Sequence, residues 1–138
     1  MIARITLAVA LGIASGNEGL TQSLTLDCVF KRQHGIGYDN GKANLVTEHE
    51  RDIIITFSDF DTQTRRAKLI GNAGAAEVLY FADERKVMFV QFPELGGITV
   101  TSVTSPSAGG EVFGVHSRHM WFGKNAYFSQ WAGPCRVR

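Results

Sequence analysis

The chain predicts an all-β domain: a small antiparallel meander barrel of about eight strands, with a β-sandwich as the alternative. Three observations lead there. β-branched and aromatic residues dominate the apolar set, while Gly is frequent (15) and Pro scarce (3), which suits strands joined by tight turns. No stretch beyond residue 20 sustains an apolar stripe at helical spacing over ten positions. Turn signals recur every eight to twelve residues along the chain, the spacing of short consecutive strands. A barrel is preferred because closure removes exposed strand edges.

The elements follow in order. "SLTLDCVFK" alternates, with Leu24, Leu26, Cys28 and Phe30 on one face and Thr25, Asp27 and Lys31 on the other. Asn40-Gly41 marks a hairpin, because both residues tolerate positive φ. "NLVTEHE" is a short strand. "DIIITFSDF" is a strong one, and its three isoleucines suggest burial on both faces at one end. "RRAKLIGN" and "AEVLYFAD" flank a turn at Gly71-Asn72-Ala73-Gly74. "DERK" leads into "VMFVQF", "PELGG" into "ITVTSVTS", "PSAGG" into "EVFGVHSRHMWF" and "GKN" into "AYFSQW".

The N-terminus is expected to be removed. Met1 to Arg4 is short and basic, "ITLAVALGIA" (residues 5–14) is an uncharged apolar run, and small residues follow. This is the layout of a signal peptide over residues 1–16, cleaved after Ala14 or Gly16. The run is shorter than the roughly 20 apolar residues a membrane-spanning helix needs. Residues 17–138 then form a single β domain, periplasmic or secreted, with no integral membrane segment. Asp27 beside Cys28 does not suit lipid attachment.

Cys28 and Cys135 enclose 106 residues (29 to 134). An even pair in an exported chain reads as a disulfide. Such a bond would tie the first strand to the last. The spacing supports neither a redox motif nor a zinc knuckle.

The chain carries 14 Lys+Arg and 13 Asp+Glu. Removal of Arg4 with the signal peptide leaves 13 against 13, near neutrality. No nucleic-acid partner is indicated, and the few cations after Glu111 read as solvated surface.

The densest chemistry is His116-Ser117-Arg118-His119. On a strand His116 and Arg118 share one face, and Ser117 and His119 the other. The two histidines therefore point apart and cannot chelate one metal without a bulge. The expected arrangement has Phe113, Val115 and Trp121 on the apolar face, with Ser117 and His119 hydrogen-bonded among them and His116 and Arg118 exposed or at a rim. Ser117 lacks a nucleophile elbow. Phe113, Trp121, Phe122, Tyr127, Phe128 and Trp131 crowd the last two strands, and core filling is their expected role. "SDFDTQT" begins like a calcium loop, but Thr64 and Ile70 stand where its glycine and glutamate belong. "IGNAGAAE" is read as a hairpin rather than a phosphate loop. No catalytic residue, metal ligand or cofactor is assigned. The candidate ligand or partner surface is His116, Ser117, Arg118, His119, Trp121 and Trp131.

"GNAG", "HSRH" and the terminal "SQWAGPC" together resemble a family of small exported bacterial β-domain proteins whose C-terminal pattern is His-Ser-Arg-His followed by Ser-Gln, two residues, Gly and Cys. The resemblance implies export and cysteine pairing, and says nothing about catalysis. More distantly, size, strands and terminal cysteines are similar to periplasmic inhibitors of c-type lysozyme. The Ser-Gly-x-x-Tyr loop of that family is missing here, so no inhibitory residue carries over. The expected function is a non-enzymatic binding or inhibitor-like module for a protein or a small apolar ligand. The alternatives are a structural envelope component, or a small hydrolase or metal enzyme built on the HSRH strand.

Overall fold

The computed structural model describes residues 24–46, 52–94, 96–104 and 112–138. The expected signal peptide lies outside the described residues, as do the acidic "TEHE" segment with His49 and the "PSAGG" turn. Nine strands run through the described residues: β1 (Leu26–Asp39), β2 (Lys42–Val46), β3 (Ile53–Asp61), β4 (Arg66–Gly71), β5 (Gly74–Ala82), β6 (Lys86–Gln91), β7 (Ile98–Thr104), β8 (Val112–Phe122) and β9 (Asn125–Val137). Neighbours in the order β1-β3-β4-β5-β6-β7-β8-β9 pair antiparallel, and β9 pairs back onto β1. The result is a closed eight-stranded barrel. β2 lies outside that circuit, folded against the second half of β1. Among the described residues no helix is long and apolar enough to cross a membrane.

β1 is longer than its sequence pattern. Leu26–Phe30 pairs with β3, Gly35–Asp39 pairs with β2, and both halves pair with β9. The register shifts between Arg32 and His34. Before the bulge Leu26, Cys28 and Phe30 face inward; after it Gly35 does. An inserted residue flips the phase of every following side chain, so alternation stops at Lys31 although the strand continues. Asn40 (φ 48°) and Gly41 (φ 80°) then make the expected hairpin.

The seam between β1 and β9 is fastened several times. Cys28 and Cys135 are directly paired residues and are disulfide-bonded. Thr25 and Arg138 exchange backbone hydrogen bonds of 2.8 Å each. Asp27 accepts from Thr56 Oγ1 at 2.6 Å and ion-pairs with Arg138. These bonds to the carboxylate, Thr56 first, lower the Asp27 pKa.

Inside, Phe30, Phe57, Phe89 and Trp131 are each at most 2% exposed. Phe57 and Phe89 stack with ring centroids 3.7 Å apart, and Phe60 meets Tyr80 edge-on at 5.4 Å. Two glycines make room. A Cβ at Gly114 would lie 2.8 Å from the Phe30 ring and 2.9 Å from Cys135 Sγ; one at Gly133 would collide with the Val29 carbonyl oxygen.

Those glycines decide which face of β8 looks inward, and the outcome corrects the sequence expectation. Val112, Gly114 and His116 are buried, whereas Phe113, Val115 and Trp121 are about half exposed on the outside. Phe30 and the disulfide occupy the space beside β8 and β9, so the inward phase must be the one that carries glycine. The aromatic crowd is likewise not core: of its six members only Trp131 is buried, and Phe122 is exposed as well. The three isoleucines of β3 are not buried on both faces either, since Ile55 is buried and Ile54 is 54% exposed.

Candidate functional site

The register across β7, β8 and β9 assembles a polar layer inside an otherwise apolar barrel. Thr101, His116 and Trp131 lie opposite one another, and Thr99, Arg118 and Ser129 form the next row, Thr99 and Ser129 buried and Arg118 exposed at its edge. His116 is 3% exposed. Its Nδ1 hydrogen-bonds Thr101 Oγ1 at 2.8 Å. Its ring stacks on Phe30 at 5.6 Å and tilts against Trp131 at 5.5 Å. Burial, with a smaller contribution from the Arg118 charge, lowers the His116 pKa from 6.5 to about 4. The imidazole is therefore neutral at pH 7.

Above this layer the barrel opens. A half-enclosed cavity of about 260 Å³ is lined by Ile55, Leu69, Gln91, Thr99, His116 and Arg118, with the Gly71–Gly74 turn at its edge. The volume sits just below the roughly 300–1,000 Å³ of drug-sized ligand pockets. Arg118 is the one charged residue among the described residues of the lining. Its guanidinium lies 5.4 Å from the centroid of the Trp131 ring, a cation–π arrangement. It forms no ion pair with any described residue.

The six surface candidates therefore separate into two groups. His116, Arg118 and Trp131 line or underlie the mouth. Ser117, His119 and Trp121 stand on the outer face, where His119 and Trp121 each meet the edge or face of Phe128 at 5.3 and 6.3 Å. Ser117 and His119 share a side as alternation requires, but no hydrogen bond joins them. Across the strand from this cluster, Ile36 (48% exposed), Tyr38 (44%) and Leu45 (71%) extend the apolar outer surface.

No protein-family model matches the chain, and no curated protein matches it. What the barrel can do is thus read from its own residues.

A wider surface hollow of about 550 Å³ lies beside Asp59, Asp61, Arg66, Lys68 and Glu77. Its charges serve the local structure. Asp61 accepts the backbone N–H groups of Gln63 (2.8 Å) and Thr64 (3.1 Å), which lowers its pKa, and Arg66 pairs with Glu77. "SDFDTQT" is a bulged turn, with Asp59 at φ 52° where the β3–β4 register shifts. Among the described residues no group of three or more His, Cys, Asp or Glu is placed to hold a metal ion.

Sequence reasoning missed Thr99, Thr101, Gln91 and Ser129. In "ITVTSVT" Thr99 and Thr101 face inward and Ile98 and Val100 outward, the reverse of ordinary amphipathic alternation. Only the facing partners Phe89 and His116 decide that phase.

Proposed function

We propose that this domain is an exported, non-enzymatic binding barrel that holds a small organic ligand at its mouth. The half-enclosed cavity carries the reading: apolar walls from Ile55 and Leu69 with a few polar groups, Gln91, Thr99 and Arg118, at the rim. That mixture of apolar lining and sparse oriented polar groups is the usual composition of a small-molecule site. The lower barrel is packed solid with Phe30, Phe57 and Phe89, so the ligand is short and seats in the upper third rather than threading the interior. The disulfide is compatible with export. Catalysis draws no support from the arrangement. Ser117 faces away from His116, and the hydroxyl that does bond the imidazole, Thr101 Oγ1, belongs to a residue only 1% exposed.

Two-dimensional NMR tests the proposal. Titration of residues 17–138 with phenylacetate and 2-phenylethanol is expected to shift the amides of Ile55, Gly71, Thr99, His116 and Arg118. Shifts elsewhere only, or none, would overturn it.

A further inference from the structure

Resting on the mouth as the ligand site, we infer that the ligand is a small carboxylate with an apolar body, and that Arg118 receives its anionic head. Among the described residues the mouth's lining carries one cation, Arg118, and no Asp or Glu. Arg118 is exposed at the rim of an apolar hollow and has no ion-pair partner among the described residues, and its planar fork matches a carboxylate bidentately. Stacking over Trp131 holds that fork in place before the ligand arrives, so less rotamer freedom is lost on binding.

The neighbouring groups suit the same head. The side chains of Thr99 and Gln91 line the cavity and have no hydrogen-bond partner among the described residues, leaving a hydroxyl and an amide to donate to the second carboxylate oxygen. His116 below them adds no charge at neutral pH. The site therefore matches one negative charge, not two. Ile55, Leu69 and Ala76 supply the wall for the apolar body, and about 260 Å³ limits that body to a single ring or a short chain. The ligand is thus amphipathic rather than purely apolar.

Three near-isosteres decide the matter by calorimetry on the disulfide-intact domain: phenylacetate, 2-phenylethanol and phenethylamine. Phenylacetate is expected to bind about tenfold more tightly than the alcohol, the scale of one charge-assisted hydrogen bond at a partly solvated site, and the amine more weakly than either. Arg118→Gln should lower phenylacetate affinity to that of the alcohol and leave the alcohol unchanged, while Arg118→Lys keeps part of the preference. Equal affinity for acid and alcohol in the wild type would overturn the carboxylate assignment and leave the mouth reading standing. Binding of none of the three at the mouth would overturn both. Should the Gln variant fail to fold, the wild-type selectivity alone decides between these outcomes.

Discussion

Acidification should weaken this barrel through one residue, His116. The buried imidazole has a folded pKa of about 4 against 6.5 in the open chain. A histidine whose folded pKa is depressed favours the native state only while it is neutral. Its contribution is complete above about pH 6.5 and is lost as pH falls from there toward 4, because the unfolded chain takes up the proton first. A shift from 6.5 to about 4 corresponds to roughly 3 kcal/mol at 1.36 kcal/mol per unit, a large fraction of the roughly 5–15 kcal/mol that holds a domain together. Of the described side chains packed on the ring, Thr101 from β7, Phe30 from β1 and Trp131 from β9 carry no charge. Arg118 on β8 is the one cation, and it acts in the same direction as burial. Urea unfolding at pH 7.5, 6.5, 5.5 and 4.5, followed by tryptophan fluorescence, reads the effect. The wild type should lose most of those 3 kcal/mol across the series, while His116→Gln, which keeps an acceptor for Thr101, should be less stable at pH 7.5 but nearly flat. The carboxylates with lowered pKa values, Asp27, Asp61 and Asp83, lose their contributions below about pH 4 and do not confuse the window. Parallel slopes in the two proteins would refute the argument, since they would place the titrating group elsewhere.

Three further outcomes follow from the packing. Replacing both cysteines by serine removes a cross-link spanning 107 positions, which the chain-entropy model values at about 4–5 kcal/mol; urea midpoints should fall accordingly, and a loss under about 1 kcal/mol would contradict that account. Gly133→Ala drives a methyl into the Val29 carbonyl at the β1–β9 seam and should cost about 2–3 kcal/mol. Gly41→Ala has open space and faces only its φ of 80°, so it should cost about 1 kcal/mol; thermal melts that reverse this order would count against the tight seam. Trp131→Ala should cost about 3–5 kcal/mol, whereas Trp121→Ala, 49% exposed, should cost under about 1 kcal/mol, and similar losses for the two would mean that Trp121 is part of the core.

The strand count, the hairpins at Asn40-Gly41 and Gly71–Gly74, and the Cys28–Cys135 bond were legible because each depends on local rules: alternation, φ tolerance and cysteine parity. The phase of β8 was not. "VFGVHSRHMWF" carries apolar residues on both parities, so alternation alone shows that His116 and Arg118 share a face without saying which face is inside. The tie is broken from another strand, by Phe30 on β1, which excludes a side chain at position 114 and so turns Gly114 inward. His116 and Arg118 follow by parity. A sequence pattern weighs the apolar residues a strand offers; a barrel this narrow also selects for the residues that leave room. The same logic hid the site. Inward Thr99 and Thr101 are indistinguishable in sequence from solvent-facing threonines, and become a polar layer only because the closed circuit sets them against His116 and Arg118. Arg118 follows last, as the one charged residue among the described lining of the mouth.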